Sequence, residues 1–420
     1  MSPTFRALHN PNYRRYALGS LISNTGTWMQ RVAQDWLVLR LTDGSGTALG
    51  ITTGLQFLPV LLLSPYAGVI ADRFPKRRLL QLTQLTMALA SLVLGVLAVT
   101  GVAEVWMVYV IAFLFGIGSA FDAPARQSFV SEMVGPDDLT NAVGLNSATF
   151  NAARIMGPGL AGLMIGAMGG GAWATGWVIM INALSYGAVI WQLQHMDPTL
   201  LRSPKPVERT PGMLLEGVRY IRSQPKRMAI LVMVFFAGTF GMNFQITSAL
   251  MATHVFGKGA GEFGILGSAM AVGSLIGALL AARRVRIRLR LVAGAGLGFG
   301  ATEIVAGLMP TYVAFALICP LIGVCTLTML NSANATMQLE SLPALRGRVM
   351  ALYMTIVMGG TPIGSPFIGW VGEQFGARWT LLGGGLLTIV GVVLAVALFA
   401  RPSREEESDA EPHAVTVRAA

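Results

Sequence analysis

The sequence predicts an all-α integral membrane protein with twelve spanning helices in two pseudo-symmetric bundles of six. Three observations carry this. Of 420 residues, 54% are hydrophobic and only 12% charged, about half the charged share of a soluble domain. Apolar runs long enough to cross a bilayer recur along the chain, divided by glycine, proline and charge. The basic residues concentrate in alternate divisions, with both termini on the same side.

A spanning helix needs about 20 mostly apolar residues. Candidate spans cover roughly 16–40, 46–71, 78–101, 104–124, 139–167, 172–194, 228–254, 260–282, 290–309, 311–336, 348–371 and 378–400. The divisions are sharpest at Asp43-Gly44-Ser45-Gly46, Gly101–Glu104 and Gly257–Gly261. The first span is the most polar, carrying Asn24, Gln30, Arg31, Gln34 and Asp35. With the N-terminus inside, 25 of the 30 Lys and Arg fall in inside segments, and Arg40, Lys258 and Arg378 fall outside. That bias expects both termini in the cytoplasm and a multi-pass protein of the bacterial inner membrane. It also accounts for the net charge of +10 without nucleic acid, since no aromatic interleaving offers bases a stacking surface.

The units follow. Residues 1–194 form the first six-helix bundle. Residues 195–227 form a cytoplasmic linker, whose second part, MLLEGVRYIRS from Met213, has the pattern of an amphipathic helix. Residues 228–400 form the second bundle, and 401–420 a polar tail. The bundles echo each other: Gly50-Ile51-Thr52-Thr53-Gly54 opens helix 2, and Gly264-Ile265-Leu266-Gly267 opens helix 8. Parallel repeats of this kind place a binding cavity near the midplane between them.

Several chemistries find no support. No Gly-x-x-x-x-Gly-Lys-Ser/Thr loop is present, which argues against ATP as the energy source. The four histidines are scattered and the two cysteines, Cys319 and Cys325, sit inside an apolar run, so neither a metal nor a cofactor is expected. No nucleophile–base constellation suggests an enzyme.

The stretch Gly68–Leu80, GVIADRFPKRRLL, concentrates charge between two spans. A lone acid, Asp72, within a basic turn has no topological use. The pattern Gly68-x-x-Ala71-Asp72-Arg73-x-x-x-Arg77-Arg78 resembles the loop 2–3 signature of the major facilitator superfamily, with Pro75 where glycine is usual. Arg154-x-x-Gly157-Pro158-x-x-x-Gly162 resembles the helix-5 motif of its proton-coupled antiporters. ARQSFVSEMV, Asp138-Leu139-x-Asn141-Ala142 and Pro343-x-x-Arg346-Gly347-Arg348-Val349 are similar to the bacterial branch of siderophore (enterobactin-type) and macrolide-type exporters. The resemblance covers nearly the whole chain.

It implies an inner gate of Gly68, Asp72, Arg73, Arg77 and Asp122, in which Asp72 faces the N-terminus of helix 11 and Asp122 pairs with Arg73 or Arg77. It implies a chamber lined by helices including 1, 7 and 10, where Asn24, Gln30, Gln34, Asn243, Gln245, Asn331 and Asn334 offer polar contacts. Independently of it, Arg31 and Asp35 stand four apart on helix 1 and can neutralise each other, as a structural ion pair or as a proton-coupling pair. Arg154 is a third charge within a span, its role packing or binding of a carboxylate, either Asp35 or an anionic substrate. Glu303 lies in helix 9, peripheral in the superfamily, where interhelical hydrogen bonding is the expected role beside proton coupling. The functional expectation is a secondary active, proton-coupled exporter of small amphiphilic organic molecules, drug-like or siderophore-like. Its partners are the substrate, protons and membrane lipids, and it acts as a monomer. An importer or uniporter of a nutrient or lipid-like solute, and a non-transporting membrane sensor, are the rival readings.

Overall fold

The structure is a computed structural model that describes residues 3–202, 219–282, 289–342 and 345–399. The amphipathic part of the linker from Met213, the turn 283–288 and the tail 401–420 are expectations that lie largely or wholly outside the described residues. The described chain is helical nearly throughout. The long helices are α1 (Pro11–Leu41), α2 (Gly46–Arg73), α3 (Lys76–Thr100), α4 (Val105–Met133), α5 (Pro136–Ala167) and α6 (Ala172–Gln194). After the linker come α7 (Pro225–Val255), α8 (Ala260–Ala282), α9 (Leu289–Gly307), α10 (Tyr312–Leu339), α11 (Arg346–Phe375) and α12 (Ala377–Phe399).

Ten of these helices are long and apolar enough to cross a membrane, and α1 and α5 are not among them. Their polarity has a physical reason. α1 packs between α5 and α6 and buries Gln30, Gln34 and Asp35 against protein. α5 packs on α1 and α8. Helices shielded by neighbours or facing a cavity need not be apolar all round. By contrast the outer faces of α3, α6, α9, α10 and α12 expose leucine and valine, with Leu184, Leu317 and Leu398 among the most exposed. Trp106, Trp173 and Trp379, each at the start of a helix, are exposed at one end of the molecule, where tryptophan suits a membrane interface.

The helix pairs sort into two groups. α1 to α6 contact one another through α1–α5, α1–α6, α2–α4, α3–α4 and α3–α6, and the later helices through α8–α10, α9–α10, α9–α12 and α7–α12. The groups meet chiefly along α2–α11 and α5–α8.

Several boundaries differ from expectation. α1 begins at Pro11 because the Asn10 side chain caps it, accepting from the Asn12 and Tyr13 amides at 2.9 and 3.1 Å, satisfying two otherwise orphaned donors. α2 runs to Arg73, so the basic turn is reduced to Phe74 and Pro75. Phe74 is extended (φ −101°, ψ 150°), as a residue before proline prefers, and Pro75 stands at the cap of α3. Helix 7, expected unbroken, carries two π-turns, Ala237–Gly241 and Met251–Val255, and leaves helical geometry at Met242-Asn243. The Asn243 amide donates to the Thr239 carbonyl at 2.8 Å and its oxygen accepts from Ser365 of α11 at 2.8 Å. Backbone groups freed by the break thus find a partner inside protein.

Candidate substrate cavity and its gates

A cavity of about 310 Å³ lies where the two groups of helices meet. Trp28, Arg31 and Val32 of α1, Thr53 and Phe57 of α2, and Arg154 and Pro158 of α5 line one side. Met242 to Ile246 of α7, Phe263 and Met270 of α8, and residues of α10 and α11 line the other. α3, α6, α9 and α12 contribute nothing to it.

Trp28 organises the first wall. The Arg31 guanidinium lies 4.6 Å from its ring centroid and that of Arg154 lies 5.6 Å away. Arg31 is also 5.6 Å from the Phe57 ring. An ion pair between Arg31 and Asp35 was expected from their spacing; none forms within 4.0 Å. Helical side chains lean toward the N-terminus, so Arg31 reaches back one turn to the Trp28 face, and cation–π attraction holds it there. Asp35 is 5% exposed on the same face of α1, one turn beyond. Arg154 likewise pairs with no carboxylate within 4.0 Å among the described residues.

The helix-5 glycines explain how Arg154 arrives. A Cβ on Gly157 would stand 2.5 Å from the Trp28 Cβ, and one on Gly162 would stand 2.4 Å from the Ala260 carbonyl oxygen. Gly157 therefore lets α5 press against α1 at the indole, and Gly162 lets it press against α8, as small residues do in membrane interfaces. Between them the Ser268 hydroxyl of α8 donates to the Ile155 carbonyl at 2.6 Å and accepts from the Gly159 amide at 3.0 Å. A serine of one helix group is thus threaded into the hydrogen-bond ladder of the other beside Pro158.

The amides divide. Asn243 and Gln245 line the cavity. Gln30 turns away and accepts from Asn182 of α6 at 2.5 Å, and Gln34 donates to Gln56 of α2 at 2.9 Å. Asn334 accepts from Gln338 one turn on, at 2.7 Å. Asn24, Asn331 and Asn334 lie outside the lining. Glu303 is 1% exposed on α9 beside α12 and Gly241 of α7, outside the cavity lining, and among the described residues its Oε2 has no hydrogen-bond partner. The interhelical hydrogen bond expected for that oxygen is not formed: the Thr388 hydroxyl of α12 lies beside the same Gly241 but donates to the Gly384 carbonyl of its own helix at 2.8 Å.

At the end of the bundle bearing the basic residues, charges pair within one helix group. Asp122 accepts from Arg126, one turn on, at 2.9 Å, from Gln84 at 2.7 Å and from Thr83 at 3.0 Å. The expected partners, Arg73 and Arg77, are elsewhere. Arg77 donates to the Leu193 and Gln194 carbonyls at 2.6 and 2.8 Å, an arrangement that suits a cation at a helix C-terminus. Arg73 is exposed. Gly68 lies within α2, and the Asp72 side chain lies outside the described residues. Lys76, counted as part of a solvated turn, is buried and pairs with buried Glu132 of α4 at 2.5 Å.

The opposite end holds a contact that sequence reasoning missed. Glu373, near the end of α11, accepts from the Ser45 hydroxyl at 2.7 Å and the Thr47 amide at 2.9 Å. A carboxylate of one helix group therefore caps the first turn of α2 in the other, where the helix dipole favours it. The signals were the cap residue Ser45 and a lone acid ahead of Phe375-Gly376. Trp28 was equally open to notice, three residues before Arg31.

Long helices, ten of them apolar enough to cross a membrane, meet in two groups around a cavity, an arrangement suited to a membrane transporter. Over residues 2–418 the chain matches the family described as "Transmembrane secretion effector", and it belongs to that family, within the major facilitator superfamily. It is 25% identical over 378 residues to macrolide efflux protein A of Streptococcus pyogenes, covering 86% of this chain and 90% of that one. It is 24% identical over 402 residues to the enterobactin exporter EntS of Shigella flexneri, covering 93% and 92%. Its fold is that of a bacterial homolog of the human lysosomal transporter Spinster, solved inward-facing and unoccupied (TM-score 0.71, 17% identity, 96% and 99% coverage). The chain is a multi-pass transporter of the bacterial inner membrane.

Proposed function

We propose that the chain is a proton-coupled exporter that moves small amphiphilic organic molecules by alternating access. Residues 1–194 and 228–400 act as two six-helix bodies joined by the 195–227 linker, with both termini and the 401–420 tail in the cytoplasm, and the protein works as a monomer in lipid. The observation that carries this reading is the cavity between the two helix groups, walled by charge and aromatics on one side and by the broken α7 on the other. The efflux-named relatives support the outward direction.

Asp35 is the proposed proton carrier. It is buried on the Arg31 face of α1, one turn from a guanidinium that rests on the Trp28 ring, and in the proposed cycle that guanidinium turns toward it. Substrate and Asp35 then compete for Arg31. Protonation releases Arg31 to the substrate, and substrate release returns it to the carboxylate. A buried acid couples in this way when its charge depends on a mobile partner and water reaches it in part of the cycle. The inner gate at Gly68, Asp72, Arg73, Arg77 and Asp122 closes in the other half of the cycle, when the outer contacts break.

The test is transport in everted vesicles energised by a proton gradient. Efflux of an amphiphilic anionic dye should collapse with a protonophore, and Asp35→Asn should bind solute yet lose gradient-driven transport. Undiminished transport by Asp35→Asn removes that residue from the mechanism.

A further inference from the structure

We infer that the cavity selects an organic anion: a carboxylate, or a comparable planar oxyanion, carried on an apolar or aromatic body. The inference rests on the transport reading above and names the substrate class of that same site. Two guanidinium groups, Arg31 and Arg154, face one indole across the cavity wall. Among the described residues neither has an acid within 4.0 Å. The lining contains no aspartate, glutamate or lysine. Asp35, the nearest acid on α1, is one turn beyond and outside the lining.

Arg31 Nε is shielded from solvent and has no hydrogen-bond partner among the described residues. An arginine held inside a membrane protein in this condition is costly and calls for a counter-charge. Two of them on one ring repel each other as well. The remedy present within the protein is partial, since the Trp28 face meets the cations but cannot accept their N–H bonds. A carboxylate answers all three deficits together: it neutralises, it accepts in the paired geometry a guanidinium offers, and it is planar enough to lie beside the indole.

The opposite wall completes the match. Phe244, Phe263 and Met270 provide an apolar surface for the body of the molecule, and Asn243 and Gln245 provide neutral polar contacts. Cationic solutes meet the wrong sign of charge at the first wall.

The test uses the purified full chain and three matched probes: 2-naphthoate, 2-naphthamide and 2-naphthylmethylammonium. Unfolding is followed with a thiol-reactive dye, which reads exposure of buried Cys319 and half-buried Cys325. Naphthoate should raise the midpoint by several degrees, with the amide and the ammonium at least tenfold weaker by concentration dependence. Arg31→Gln and Arg154→Gln should each weaken naphthoate about tenfold or more, and Arg40→Gln, at the exposed end of α1, should not. Arg31→Lys and Arg154→Lys should retain part of the effect, which keeps the test available if a glutamine variant fails to fold. The proposal is overturned by an amide or ammonium that matches the carboxylate, by the absence of any naphthoate shift, or by a shift that survives Arg31→Gln/Arg154→Gln. Proton-driven transport of a cation through this cavity would sink the anion proposal and leave the transport reading standing. Naphthoate stabilisation without protonophore-sensitive transport would do the reverse.

Discussion

Charged side chains in this protein divide into those with partners and those without, and the two sets behave differently. Lys76 and Glu132 are mutually paired and buried. Removing one partner of such a pair strands the other, so Lys76→Met should cost about 3–5 kcal/mol, read as a lowered thermal midpoint with transport intact in the folded fraction. A midpoint within a degree of wild type would show that water reaches Glu132. Gly157 is sensitive for a different reason. Any Cβ there meets Trp28 at 2.5 Å, so Gly157→Ala should cost about 1–3 kcal/mol through overpacking and also displace Arg154 from the indole. A variant with unchanged stability and ligand affinity would contradict the assigned contact. The sequence showed that Arg31, Asp35, Arg154 and Glu303 were unusual within spans. It could not show that Arg31 prefers an aromatic three residues back to an acid four residues on, because spacing makes both reachable and only side-chain direction and the Phe57 ring of another helix decide.

Among the elements, α5 and α7 show why regular patterns under-specify transporters. The Gly157-Pro158-Gly162 motif was legible as close packing, but its partners, α1 on one side and α8 on the other, were not. Ser268 joins the Ile155 and Gly159 backbone groups and looks in sequence like any serine in an apolar helix. Ser268→Ala should weaken the α5–α8 seam by about 1 kcal/mol and raise labelling of a cysteine placed at Thr53 by a membrane-impermeant reagent added outside. Equal labelling would mean the seam does not hold that end closed. The interruption of helix 7 was invisible to hydropathy, since Asn243 and Gln245 are isolated within a run whose mean hydropathy is still that of a span. Its cause is tertiary: Ser365 of α11 and the Asn243 side chain supply bonds that stabilise a non-helical residue.

For the whole molecule, the architecture was readable and the closure was not. Apolar runs, the basic turns and the linker located most helix ends to within a few residues, but α4 runs nine residues past the expected 124, to Met133, carrying Asp122, Arg126 and Glu132 in its inner end. They also located α1 and α5, which are too polar to qualify by composition alone and are explained by burial against other helices. The expected gate rested on charges at the basic end, yet there Asp122 and Arg77 bond within their own helix group. The named hydrogen bonds that join the groups, at Glu373 with Ser45 and Thr47 and at Ser268, lie toward the opposite end. With the proposed orientation, basic end in the cytoplasm, this pattern fits a chamber held shut on the outer side, in a cycle where the bodies rock about the cavity. In a variant whose two cysteines are replaced, Ser45→Cys and Glu373→Cys can be joined by a short bifunctional thiol reagent and transport measured in everted vesicles before and after cleavage of the link. Rocking about the cavity predicts that transport stops when the outer ends are tied and returns on cleavage, with ligand binding from the inner side retained throughout. Transport at the untied rate while the link is intact would contradict it.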